Sequence, residues 1–229
     1  GRQLTRDRLR QATQRTGIAT DDVRFILILM RAELDGVICS GARIGKQFTY
    51  ALLDERVPRS NAFTRDEALA ELTRRYFTSR GPATVQDFVW WSGLTVADAK
   101  AGLEMTGRRL VRDVIDGRTC WLSSSAQDVT RGSRAAYLLP PYDEYLVAYK
   151  DRSAAIDPMN STQSMKAIFS STILVNGRVA GTWKRAAGKG ADVVTLNPFA
   201  TLRASQRRAV VEAGRRYGAF LGQTVSTEP

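Results

Sequence analysis

Histidine is absent from the 229 residues. That removes Ser-His-Asp and Cys-His catalysis and every His-ligated metal site. Cysteine occurs only as Cys39 and Cys120, with no Cys-x-x-Cys spacing. Neither a disulfide framework nor a structural zinc site is expected, and a reducing cytoplasm fits. Long apolar runs are lacking too. A membrane span needs roughly 18–20 apolar residues, and the most apolar run, Phe25–Met30, is six residues long. No membrane association and no cofactor are expected, so any catalysis must rely on carboxylates, amides, hydroxyls, Lys, Arg or a bound water.

Positive charge is plentiful: 34 Lys and Arg stand against 23 Asp and Glu, a net +11. The excess is uneven, +4 in residues 1–60, +1 in 61–125 and +6 in 126–229. A field of this sign draws in polyanions and speeds encounter with them.

The chain reads as an internal repeat. Thr5 is placed to cap a helix Arg6–Arg15 that stops at Gly17. Thr20, Asp21 and Asp22 open a second helix, with an N-cap oxygen followed by carboxylates near the positive end of the helix dipole. Val23, Ile26, Leu27, Met30 and Leu34 fall on one face of it, predicted to be its buried side. Gly36 ends it, and strands Val37–Ser40 and Lys46–Leu53 enclose a turn bearing Arg43. The pattern recurs after a short linker, residues 56–62 with Pro58. Helices are predicted from Thr64 to about Ser79, over Thr84–Trp91 and over Val96–Met105. A hairpin of Arg109–Ile115 and Arg118–Ser123 follows, around Asp116-Gly117. Leu4-Thr5 aligns with Ala83-Thr84, Thr16-Gly17 with Ser92-Gly93, Asp22 with Asp98 and Gly36 with Gly107. Each unit is helix-turn-helix plus hairpin, a winged helix. The first has one helix fewer than the second, so its first helix is expected upstream of Gly1.

The texture changes beyond a Ser-, Arg- and Gln-rich boundary at residues 124–134. A polar loop is expected at 153–166 and a hairpin of Ile168–Val175 and Arg178–Lys184 around Asn176-Gly177. A turn at 186–190 and a strand Asp192–Leu196 follow. Ser205 is expected to cap a last helix, Gln206–Leu221, that buries Val210, Ala213, Tyr217 and Phe220. The fold class is α+β: tandem winged helices at 1–57 and 62–125, then a β-rich C-terminal domain at 135–229 with a terminal helix.

Residues that could touch nucleic acid cluster in four places. Arg24 and Arg31, seven apart on one helix, share a face, and Arg43, Lys46 and Gln47 sit at the first hairpin tip. Tyr142–Arg152 packs Asp143, Glu144 and Asp151 among tyrosines, Lys150 and Arg152. It suits a surface strand with internal ion pairs, or a site that orients a water or binds a cation. Trp183-Lys184-Arg185 could stack on a base and hold its phosphate, or pack as a rim against the last helix. Arg207, Arg208, Arg215 and Arg216 form a basic ridge on that helix.

Five stretches carry a family resemblance: MRAELDGVICSG (30–41), KQFTYALLDERV (46–57), RYFTSRGPATVQDFVWWSGL (75–94), LPPYDEYLVAYKDR (139–152) and VNGRVAGTWKR (175–185). In this order they resemble the winged-helix DNA-binding proteins that include the AlkZ-like and YcaQ-like DNA glycosylases. The resemblance implies a cradle gripping double-stranded DNA and excision of alkylated bases or unhooking of crosslinks. It also implies a catalytic Gln-x-Gln or Gln-x-Asp element in the first winged helix. No such element occurs in the 229 residues, so no catalytic residue is assigned here and the chain alone is expected to be inactive. Two further readings stand beside this one, a transcription regulator with a C-terminal sensor domain and an interaction module that binds no DNA. A monomer is expected, because no long amphipathic dimerisation helix stands out.

Overall fold

Thr5 and Thr84 do the same work at two places in the chain. Each hydroxyl caps a helix, accepting from Arg8 N at 3.4 Å and Asp87 N at 3.1 Å respectively. Just ahead of each cap, the backbone pairs with the return strand of a hairpin: Leu4 with Tyr50 in one case, Ala83 with Trp121 in the other. The computed structural model describes residues 1–58, 63–126, 136–186 and 192–228. These form two compact units, Gly1–Ala62 and Phe63–Pro229. Most of the expected boundary at 124–134, four residues of the linker at 56–62 and nearly all of the turn at 186–190 fall outside the described residues.

The first unit runs β1 (Leu4–Thr5), α1 (Arg6–Arg15), α2 (Asp22–Leu34), β2 (Ile38–Ser40), β3 (Thr49–Leu52) and a single turn, α3 (Leu53–Arg56). The sheet order is β1-β3-β2, all antiparallel. Gly17 and Gly36 end α1 and α2 with φ of +81° and +67°, a conformation only glycine adopts cheaply. Two sequence expectations change here. Asp21, not Thr20, caps α2, its carboxylate accepting from Arg24 N at 2.9 Å, while Thr20 is buried. The buried face of α2 is Phe25 and Leu29, four apart, whereas Val23, Ile26, Leu27, Met30 and Leu34 are exposed. Six consecutive apolar residues support two stripes, and spacing cannot choose between them. Phe25 is sealed by the Arg10 guanidinium, 5.3 Å over its ring, which also pairs with Asp22 at 2.6 Å.

The second unit opens with α4 (Arg65–Arg80), fixed by a reciprocal capping box between Thr64 and Glu67. Its helices α5 (Val85–Ser92) and α6 (Val96–Thr106) lead into the hairpin β4 (Leu110–Ile115) and β5 (Arg118–Ser123). Tyr76, Phe77, Phe88, Ala99, Leu103 and Leu110 make the core of this part. Helices α4 and α6 approach closely at Gly102, where a Cβ would fall 2.2 Å from Thr73 Oγ1. Asp116 and Gly117 both have positive φ, as do Asn176 and Gly177, so both expected turns are of the type that matches strand twist.

The remainder is a five-stranded sheet, order β10-β9-β8-β7-β6. It is built from β6 (Ala136–Leu139), β7 (Thr172–Val175), β8 (Arg178–Ala186), β9 (Asp192–Pro198) and β10 (Val225–Glu228). The last strand, unforeseen in the sequence, runs parallel to β9. Helix α7 (Glu144–Val147) sits where a strand was one expectation. Helix α8 (Ser161–Ala167) occupies part of the expected polar loop, and β7 is correspondingly shorter than Ile168–Val175. The final helix, α9 (Ala204–Leu221), starts after Arg203 rather than Ser205. It buries Val210, Ala213, Gly214 and Gly218; Tyr217 packs at the edge of the core and Phe220 is 85% exposed.

Gly181 in β8 lies where a Cβ would come within 2.5 Å of Asn197 O and 2.6 Å of Pro198 Cα. Both neighbours are backbone of β9, so the pair cannot relax by a rotamer change. Gly181→Ala is expected to cost about 1–3 kcal/mol, read as a lower urea midpoint; an unchanged midpoint would refute the close approach.

Candidate nucleic-acid interface

In the first unit the hairpin tip is held from both sides. Gln3 Oε1 accepts from Ala42 N at 2.6 Å, and Thr49 Oγ1 donates to Ala42 O at 2.6 Å. Ile44 and Gln47 exchange backbone hydrogen bonds of 3.1 and 3.0 Å across a turn that needs the positive φ of Gly45. The turn therefore presents Lys46 and Gln47 to solvent, and the Arg43 guanidinium lies 4.5 Å over the Phe48 ring. On α2, Arg24 is exposed with a free side chain among the described residues, while Arg31 is held by Asp35 at 2.7 Å.

In the second unit the stretch Tyr142–Arg152 docks on α4 and α5, and one buried carboxylate organises it. Asp87 is 5% exposed. Its Oδ2 accepts from Thr84 N at 2.9 Å and Thr84 Oγ1 at 2.7 Å. Its Oδ1 accepts from Lys150 N at 2.9 Å and Asp151 N at 3.2 Å. Phenols lock the same contact from the two sides: Tyr76 donates to Ala148 O at 3.1 Å and Tyr149 to Arg80 O at 2.8 Å. Burial pushes both phenols up from their ordinary range, so each remains a donor. Trp90 donates to Val147 O, and Glu144 accepts from Arg80 and Trp91. Asp151 pairs with Arg118 and accepts from Ser153 N, which holds its carboxyl below the usual range. Asp143 caps Tyr145 N. The carboxylates are thus distributed to separate partners. No group of three or more His, Cys, Asp or Glu placed to hold a metal occurs among the described residues.

Beside this knot opens a cleft of about 810 Å³, lined among others by Gln86, Arg118, Lys150, Arg152 and Met165. Lys150 is exposed and its side chain has no partner among the described residues; Arg152 donates from Nε to Leu146 O at 2.6 Å and lies 5.5 Å over the Trp90 ring. On β8 the three expected neighbours part company. Trp183 is 8% exposed, donates to Leu139 O at 2.9 Å and meets Tyr217 edge-on at 5.2 Å. It packs against the last helix, and its faces are not open to a base. Arg185 is bonded to Asp192 at 2.6 Å, while Lys184 is exposed and without an ion pair among the described residues. The sequence reading missed Asp87 and Arg80. The signal for Asp87 was present in Thr84-x-x-Asp87, a capping box, but its second role depends on residues more than sixty positions away.

The described fold defines a mixed α and β protein with a twice-used helix–helix–hairpin element and exposed cations at one hairpin tip. The sequence matches the DNA glycosylase AlkZ-like family over residues 1–220, and the chain belongs to that family. Its structure is similar to that of Streptomyces sahachiroi DNA glycosylase AlkZ, with a TM-score of 0.69 at 22% identity. The likeness covers 99% of this chain and 65% of that one, so the present chain spans about two thirds of the length of that relative. Comparison with curated proteins gave no significant match. No helix among the described residues is long and apolar enough to cross a membrane.

Removing the Asp87 carboxylate strands three partly buried backbone N–H groups, those of Thr84, Lys150 and Asp151. Asp87→Ala is expected to destabilise the second unit by about 2–4 kcal/mol, and Tyr76→Phe by about 1 kcal/mol. Urea denaturation followed by tryptophan fluorescence measures both; equal midpoints for Asp87→Ala and the unaltered chain would show that the carboxylate does not hold the docked stretch.

Proposed function

We propose that this chain is the DNA-gripping part of a repair glycosylase that acts on alkylated or crosslinked bases. Residues 1–57 and 62–125 are read as winged helices and 135–229 as a β-rich domain. One observation carries the reading. The order of a short strand or bridge, two helices and a hairpin occurs twice, each time with the leading residue paired to the returning strand, as Leu4 to Tyr50 and Ala83 to Trp121. In helix-turn-helix proteins the second helix of such a pair enters the major groove. On this reading α2 brings Arg24 and Arg31 to double-stranded DNA, while Arg43, Lys46 and Gln47 meet the backbone beside it. Lys150 and Lys184 supply phosphate contacts from the second unit, beside Arg152 and Arg185, which Leu146 O and Asp192 hold in place, and Trp183 supports them from within. The protein works as a cytoplasmic monomer, as fits electrostatic binding without a half-site partner.

Base excision requires a positioned water and a stabilised sugar cation, and enzymes of this kind often extrude the target base. No Gln-x-Gln or Gln-x-Asp occurs in the 229 residues, so the proposal gives this chain binding and assigns it no catalytic residue.

Titration of a fluorescent duplex, with and without an N7-alkylguanine, at low and physiological salt tests the reading. Salt-sensitive binding with a preference for the lesion supports it. Preference for one operator sequence would make the protein a regulator, and no binding at low salt would remove DNA as the partner. Arg43→Gln with Lys46→Gln is expected to flatten the plot of log affinity against log salt by about two, at roughly 0.9 per lost phosphate contact. An unchanged slope would take the hairpin tip out of the interface.

A further inference from the structure

The outer face of α9 belongs to none of the contacts described so far. The helix carries Arg207, Arg208, Arg215 and Arg216 against a single acid, Glu212. Arg216 is used internally, donating to Ala136 O at 2.7 Å with its guanidinium 5.9 Å from the Tyr137 ring centre. The other three do not serve the fold. Arg207 and Arg208 are exposed and have no ion pair or side-chain hydrogen bond among the described residues. Arg215 meets only Glu212, at 3.3 Å, with both side chains more than half exposed. Such a pair contributes little and separates easily. All three arginines line a shallow groove of about 750 Å³ with small or short neighbours, Ala204, Ala209 and Val211. A polyanion can therefore approach the guanidinium groups without displacing a bulky side chain. Arg208 and Arg215, seven residues apart, lie almost in line about 10 Å apart along the axis. That is about three nucleotide steps of a duplex strand at 3.4 Å each.

We propose that this face of α9 is a second phosphate-binding surface, one that takes a nucleic-acid backbone and reads no bases. Arginine matches phosphate oxygens through a fixed fork of donors. The residues that line the groove with the three cations, Ala204, Ala209, Val211 and Glu212, include no aromatic ring or amide that could read a base edge. The inference rests on the DNA-binding reading above and adds a contact carried by the second unit to the one carried by the hairpin tip of the first.

The test is the triple substitution Arg207→Gln, Arg208→Gln and Arg215→Gln in the whole chain, titrated against an undamaged duplex from about 50 to 200 mM salt. Loss of three phosphate contacts lowers the salt slope by about 2.7, so the affinity gap between unaltered and substituted chains narrows by about forty-fold over that range. The pair Arg208→Glu with Arg215→Glu is expected to weaken binding further at low salt, and unchanged thermal midpoints exclude a folding defect. If the unaltered chain binds and the hairpin-tip variant is impaired while the α9 triple variant keeps its slope, the inference is overturned and the DNA reading stands. Failure of the unaltered chain to bind any duplex overturns both. Loss confined to binding of anionic lipid vesicles would assign the ridge to a membrane surface and also overturn the inference.

Discussion

The Asp87 carboxylate has two jobs that pull in different directions along the chain, and the second unit depends on both. With one oxygen it closes the N-terminus of α5, where unpaired N–H groups and the helix dipole favour an anion. With the other it accepts two successive N–H groups, Lys150 and Asp151, from a stretch with almost no regular structure of its own. A neutral side chain of the same size could not satisfy four donors at once. Once Asp87 is set, Tyr76, Tyr149, Trp90 and Glu144 can each reach a partner across the same seam. The residues around Lys150 and Arg152 are therefore held by the helical part of the unit, and any ligand they meet is met by a preorganised surface.

Much of the local structure is legible because it rests on neighbours in sequence. Thr5, Thr64 and Thr84 cap the expected helices, and Asp116-Gly117 and Asn176-Gly177 make the expected turns, since caps and primed turns are decided within four residues. Where tertiary contact decides, periodicity fails. Phe25–Met30 is apolar at every position, so the helix is legible and its buried side is not; Phe25 and Leu29 are buried while Leu27 and Met30 face out. Strand β10 eluded the reading for a related reason. Its partner β9 lies about thirty residues back, and parallel pairing leaves no turn signal to find.

The candidate site divides along the same line. A residue type and its position in sequence identify a cation or an aromatic ring but not whether the fold consumes it. Trp183 looks, in sequence, like a base-stacking group beside two cations. In the structure its ring is spent on Tyr217 and Leu139, because alternate residues of β8 face the helix-covered side of the sheet. Arg185 and Asp192 are seven apart in the chain yet paired, since their strands are antiparallel neighbours. Lys184, between Trp183 and Arg185, is exposed and has no ion pair among the described residues.

This division changes what the net charge of +11 means. Counterion release is proportional to the number of cations that reach phosphates, not to the excess over the whole chain. Arg80, Arg118, Arg152, Arg185 and Arg216 are each tied to a carboxylate or a carbonyl of the fold. They stabilise docking seams and strand ends and have little left for a partner. Arg24, Lys46, Lys150, Lys184, Arg207 and Arg208 are exposed and unpaired among the described residues. Holding a long cation in water without a partner gains nothing for stability, since even a surface ion pair contributes at most about 1 kcal/mol. On the proposed reading, the cations of the hairpin tip, of the cleft beside Asp87 and of α9 are the ones available to an external anion. The electrostatic footprint of this protein is the set of charges its own structure leaves unused.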